Sequence, residues 1–294
     1  MGKNWPQTVL GYTALDLKAK PAQLDSIIVV ESKDAPLLGA LQTLRGFVPP
    51  YIHDAATPAV FSAGIGLNME NIAPFLLKEW SAITQKEYRC SLLKDLQEEI
   101  KGQNPATMSM ATSMLANVRG IAFSLLSLQM DGEAGGALIP QQLDALISLA
   151  VKNPALLVQM VSGMLPPPLA ALQIPADGTP VPLPLPLPLP FTPQVAIKGS
   201  HLVVYTGEKS GEVATELAGI ALEASQGLMA LNIDYGKYYG LLGDFLSTTI
   251  PQEAQNAQAM AIFEAIKNSK VRVQMDLDVT AQGFEIRTDM IAQD

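Results

Sequence analysis

Ser91-Leu92-Leu93-Lys94, followed far downstream by Lys209-Ser210-Gly211, is the sharpest catalytic pattern in the chain. An S-x-x-K on a helix with a K-[TS]-G on a strand is the serine acyl-transfer signature, in which the lysine would activate the serine. The rest of that signature is missing. No S-x-N or Y-x-N triplet lies between the two pieces, and Lys209-Ser210-Gly211 falls at an expected helix start. Ser91 and Lys94 fit an ordinary amphipathic helix, so no catalytic residue is assigned. Gly64-Ile65-Gly66 hints at a dinucleotide loop, but Met69 stands where a third glycine belongs. Its small residues suit close packing instead, and no cofactor is expected.

Metal and ligand chemistry is sparse. Asp276 and Asp278 share one face of a late strand with Glu285 opposite, which reads as an exposed polar sheet face rather than a cation site. His53 and His201 are the only histidines, Cys90 is the only cysteine, and nothing in their spacing brings them together. We expect surface or half-buried histidines and no metal. Met108, Met110 and Met114 on one expected helix, with Met160 and Met164 on another, form a candidate adaptable apolar groove, core packing being the plain alternative. Tyr235, Tyr238 and Tyr239 beside Gly236 and Gly240 form a candidate contact surface.

The totals narrow the partners. The chain has 294 residues, a hydrophobic content of 48% and a net charge of −9. Charged residues are 16%, against roughly 25% in an ordinary globular domain. The acidic balance and the absence of basic runs argue against nucleic acid and anionic membranes. The start, MGKNWP, has no apolar signal core and no Ser or Thr at position 6 for myristoylation. The weakly charged stretch from Asn153 to Ile197 is broken by prolines, so no transmembrane helix and a soluble chain are expected.

Strands are expected at 26–31, 59–67, 119–131, 195–197, 200–206 and 228–234, with a closing pair at 270–280 and 284–291. Asp34 before Pro36, Asn68, and Asn153 before Pro154 read as helix N-caps. Further helices are expected over 87–100, 104–117, 140–152, 210–224, 237–246 and 251–267. Between 179 and 191 runs TPVPLPLPLPLPF, with proline at every second place. Such a run is either a polyproline II linker or an edge strand, paired on its Leu side and closed to further pairing on its Pro side. Its period of two favours the strand. Leu183, Leu185, Leu187, Leu189 and Phe191 then share one side and form a candidate partner surface.

Residues 26–44, 61–80 and 119–131 align in order with 200–220, 228–246 and 270–286. This suggests a divergent duplication: an α+β fold of two similar lobes, each an antiparallel sheet with helices on one face. The expected division is an N-terminal lobe (1–136), a helical and Pro-Leu connecting segment (137–195) and a C-terminal lobe (196–294). The segments SHLVVYTGEKSGEVATELAGI (200–220) and VRVQMDLDVTAQGFEIRTDMI (271–291) resemble the uncharacterised two-lobed bacterial envelope proteins catalogued as domains of unknown function. The resemblance implies a periplasmic or lipoprotein-like setting, a cytoplasmic one being the alternative, and supplies no functional residues.

Three functions follow as expectations. The first is a non-catalytic envelope protein that binds a protein partner or scaffolds. The second is a carrier of a hydrophobic, lipid-like small molecule. The remote third is a serine hydrolase using Ser91 and Lys94. The oligomeric state is not readable from the sequence.

Overall fold

A computed structural model describes residues 7–16, 22–54, 59–103, 112–113, 115–131, 139–185, 190–249, 261 and 264–292. The chain is mixed α+β, built on one large antiparallel sheet. Its strands are β1 (Thr8–Asp16), β2 (Ala22–Glu31), β4 (Phe61–Gly66), β5 (Val118–Asp131), β6 (Ile139–Val151), β7 (Val181–Pro182), β8 (Gln194–Lys198), β9 (His201–Thr206), β11 (Met229–Asp234), β12 (Val271–Val279) and β13 (Gly283–Ala292). They pair in the order β1-β2-β13-β12-β11-β4-β5-β6-β9-β8-β7. Two short strands, β3 (Gly46–Phe47) and β10 (Gln226–Gly227), pair only with each other. The α-helices whose full ranges lie among the described residues are α1 (Ala35–Gln42), α2 (Met69–Gln85), α3 (Ser91–Lys101), α4 (Pro154–Ser162), α5 (Glu208–Glu216) and α6 (Tyr235–Thr249).

Side-chain alternation gives the sheet two unlike faces. On the packed face, Ala122, Leu146, Ala196, Val203 and Ala230 meet Val48, Tyr51 and Ile52 from a connecting loop and Val213, Ala214 and Leu217 from α5 and the turn after it. On the other face a row of aliphatic side chains crosses strand after strand: Ile197, Leu202, Leu149, Ile121, Ile65, Met229, Leu277, Ile286, Ile28 and Leu10. Only part of that row is covered. α4 and the segment after it lie over Leu149 and Leu202, whereas Ile65, Ile121, Phe123 and Ile147 are exposed. Helices therefore lie on both faces, not on one as expected.

The halves 1–136 and 196–294 contribute to one continuous sheet, joined where β4 pairs with β11 and where β2 pairs with β13. The strand order is palindromic in the elements that align in sequence. Reading outward from the β4–β11 pair, β4-β5-β6-β9-β8 mirrors β11-β12-β13-β2-β1. Each half thus lends its first hairpin to the other half's side of the sheet.

Several local expectations hold for stated reasons. The Asp34 carboxylate accepts from Leu37 N at 3.0 Å, and Asn153 Oδ1 from Leu156 N at 3.1 Å, so both cap a helix with proline in its first turn. The Pro-Leu run begins as an edge strand. Val181 lies opposite Val195, and Leu183 N donates to Pro193 O at 2.8 Å, while Pro182 leaves no donor on the outer edge. Leu185 N then turns back onto Leu183 O at 2.9 Å, ending the strand. Pro140 to Lys152, expected as a helix, is instead β6. Its packed face carries Gln142, Asp144 and Ser148 as well as Leu146 and Ala150, while Leu143, Ala145, Ile147 and Leu149 serve the other. A period of two is therefore present over 142–149, broken only at Leu146, and it is the polar residues that are turned to the packed side. The expected helices over 104–117 and 251–267 lie largely outside the described residues.

Candidate functional site

Two features stand out, one on each face. On the packed face, the loop from Gly46 to His53 is held to the sheet by a line of polar side chains. The Tyr51 hydroxyl bonds Ser148 Oγ at 3.0 Å, Asn232 Nδ2 donates to Ile52 O at 2.7 Å, and Gln274 Nε2 donates to His53 O at 3.1 Å. Ser124 Oγ donates to Ser62 Oγ at 2.7 Å in the same layer. Burial pushes the Tyr51 phenol up to about 12, so it stays protonated at neutral pH. Gly64 makes room: a Cβ there would stand 2.5 Å from Ile52 Cδ1, and one on Gly66 would stand 2.3 Å from Gly227 O. The Gly64-Ile65-Gly66 pattern thus serves close packing of loop and strand.

This fastening carries His53 to Asp276, with Nε2 and Oδ1 2.8 Å apart. They border a polar cleft of about 290 Å3 that Asp278, Thr280, Glu285, Arg287 and Ser225 also line. The carboxylates of the cleft are paired. Arg45 grips Asp278 with two bonds of 2.7 and 2.6 Å, and Arg287 bonds Glu285. The Asp289 carboxyl, farther along β13, is raised by burial first and then by Asp25 and Asp276. Asp25 lies directly opposite it on β2.

The cleft looks like half of a catalytic constellation, but nucleophilic catalysis needs a hydroxyl or thiol bonded to the histidine. Among the described residues nothing bonds the buried His53 Nδ1, and Nε2 is taken by Asp276. No group of three or more metal-binding side chains forms among those residues either. Sequence reasoning missed the His53–Asp276 pair, whose members are 223 residues apart. His201, expected at the surface or half-buried, is fully buried against Phe47 at a ring distance of 5.0 Å. Its imidazole is held below the usual histidine range by that burial.

The acyl-transfer residues are not brought into a site. Ser91 is exposed at the start of α3, where Lys94 is one turn on. Ser210 is fully buried, its hydroxyl donating to Thr206 O at 2.5 Å. The start of α5 is capped from a distance, because the Asp144 carboxylate of β6 accepts from Lys209 N at 3.2 Å and Ser210 N at 2.9 Å. Gly207, at φ +94°, gives the carboxylate its space: a Cβ there would stand 2.5 Å from Asp144 Cγ.

The open face is the second feature. Under α4 it closes into an apolar cavity of about 240 Å3, walled by Leu149, Val195 and Leu202 of the sheet and roofed by α4 and residues up to Leu183, with Ser162 as its one hydroxyl-bearing side chain. Met160 and Met164 point elsewhere and are exposed, while Leu157, Val158, Val161 and Leu165 of the same region face the cavity. Met108, Met110 and Met114 lie outside the described residues. Of the Leu set, Leu183 lines the cavity, Leu185 is exposed and Phe191 is half-buried. Leu187 and Leu189 lie outside the described residues. Tyr235 and Tyr239 stack at 6.0 Å on α6, and Tyr238 meets Tyr239 edge-on at 5.6 Å.

From the cavity the apolar surface runs on over Ile147, Phe123, Ile121 and Ile65, with Phe61 and Phe123 6.2 Å apart. That arrangement can take up an apolar body. Among the described residues no helix is long and apolar enough to cross a membrane. Comparison with protein-family models, with curated proteins and with solved structures finds no match to the chain.

Proposed function

We propose that this is a non-catalytic binding protein of the bacterial cell envelope that carries a hydrophobic, lipid-like molecule on its open sheet face. One observation carries the reading: an aliphatic row that is bare at Ile65 and Ile121 continues under α4 into a cavity with no charged lining residue. Monomeric soluble proteins seldom leave large contiguous apolar patches uncovered without a binding role. Apolar cavities stay dry and accept apolar guests. The alternative, a protein partner or scaffold, draws on the same bare face and on the exposed Tyr238 of α6.

The palindromic strand order supports a second part of the reading, that the chain descends from a duplicated half whose first hairpins were exchanged. The envelope setting rests on the resemblance of segments 200–220 and 271–291 to two-lobed envelope proteins. Native mass spectrometry of protein purified from its own host tests the ligand reading. A bound mass that organic extraction removes is expected. A bare protein mass, with a co-purifying polypeptide instead, favours the partner alternative.

A further inference from the structure

The two edges of the sheet are finished differently. On the β8 edge, β7 adds one more strand and brings Pro182 to the rim, which ends pairing. In the palindrome β1 is to β2 what β8 is to β9, yet among the described residues no strand lies outside β1. Among the described residues nothing fills beside β1 the position that β7 fills beside β8.

The backbone of β1 is set for a neighbour. Glu31 N donates to Gln7 O at 2.7 Å, so Gln7 and Glu31 are a hydrogen-bonded pair of the antiparallel ladder. Alternation then turns Val9 and Gly11 toward β2, and turns the N–H and C=O groups of Thr8, Leu10 and Tyr12 outward. The devices that usually protect an edge are largely missing. From Thr8 to Leu15 the strand has no charged residue and no proline. Val9, Leu10, Tyr12 and Leu15 are all exposed, Leu10 at 60% and Tyr12 at 66%. The one irregularity, a bulge after Tyr12, leaves Thr8–Tyr12 as a regular ladder.

We propose that β1 pairs with β1 of a second copy of this chain, antiparallel, about a twofold axis at Leu10. The register satisfies three conditions at once. Leu10 opposite Leu10, and Thr8 opposite Tyr12, are hydrogen-bonding positions on both strands. No like charges meet, which is the usual cost of pairing a strand with itself. The aliphatic row Leu277–Ile286–Ile28–Leu10 runs on into the Leu10 and Ile28 of the second copy, because residues directly opposite in a ladder share a face. Dimerisation therefore joins two open faces into one.

The test is sedimentation velocity of the full chain without any apolar probe, over a concentration series, beside the variant Leu10→Pro. Proline at an outward-facing position removes a donor from the rim and none from the β1–β2 ladder. The wild type is expected at twice the chain mass. Leu10→Pro is expected at the single mass, with an unchanged far-ultraviolet spectrum. Tyr12→Lys, which sets a charge on the rim, is expected to shift the equilibrium the same way. In hydrogen exchange the amide of Leu10 is expected to be protected in the dimer and to exchange freely in Tyr12→Lys. A wild-type chain that is monomeric throughout, or a folded Leu10→Pro that remains dimeric, overturns the proposal. Either result leaves the ligand reading untouched, since association is measured without ligand.

Discussion

Ile65 on β4 lies directly opposite Ile121 on β5, and the two side chains are 51% and 49% exposed. A cross-strand aliphatic pair in the middle of a wide sheet is ordinarily the centre of a core. Here the core is on the other face, and the pair lies between the apolar cavity under α4 and an open strand row. The bare Ile65–Ile121 pair is the surface that an apolar ligand would cover.

Asp144 reaches across from β6 to the first N–H groups of α5, in place of a capping side chain that Gly207 cannot supply. Asp144→Ala is expected to lower the unfolding free energy by about 0.5–2 kcal/mol, in the range of lost N-caps. Chemical denaturation checks this, and Asp144→Asn is expected to recover part of the loss.

The rim of β7 gives a paired prediction. Leu183→Pro removes the donor that bonds Pro193 O and is expected to cost about 0.5–1.5 kcal/mol. Pro182→Ala restores an N–H that has no partner on the outer edge, and is expected to change stability by about 0.5 kcal/mol or less. Equal effects from the two substitutions would mean that the run is not paired on its Leu side.

Asp289 and Asp25 oppose each other on β13 and β2, and the Asp289 carboxyl is raised above its ordinary value of 3.8. A raised carboxyl destabilises the folded chain once the unfolded chain ionises more readily, so the penalty grows as pH rises from about 4 through the folded value. Asp289→Asn is expected to stabilise the protein at pH 7 by about 0.2–1 kcal/mol, the range for cross-strand pairs. The gain should vanish below about pH 4 in parallel denaturation curves.

His201 works in the opposite direction. Burial holds its imidazole below 6.5, so the unfolded chain takes up a proton before the folded one does. Stability from this group is complete above about pH 6.5 and is lost as pH falls below it. His201→Phe, which keeps a ring against Phe47, is expected to flatten the fall in melting temperature between pH 7.5 and 5. An unaltered slope would show that the buried imidazole is not its source.

Legibility from the sequence followed the range of the physics. Asp34 before Pro36 and Asn153 before Pro154 are local capping chemistry, and both caps were readable. So was the alternation of TPVPLPL, since a proline's missing donor and its neighbour's restricted backbone act within two residues. β6 was misread although Gln142, Asp144 and Ser148 alternate with apolar residues, because Leu146 interrupts the period and the polar residues sit on the packed side, where Tyr51 and α5 hold them. The His53–Asp276 pair and the Asp144 cap were also hidden, since each joins residues that only the completed sheet brings together. The open face itself left no trace, because Ile65, Ile121 and Phe123 look like core residues in any chain. Only the position of the helices decides that they are bare.

The most direct test is a fluorescence titration with cis-parinaric acid, comparing the wild type with Ile121→Lys. The substitution is on an exposed position and is expected to change the unfolding free energy by about 1 kcal/mol or less. The account predicts saturable binding to the wild type, weakened at least tenfold in the variant, which corresponds to about 1.4 kcal/mol. No saturable binding to the wild type, or equal affinity in a folded Ile121→Lys, would contradict it.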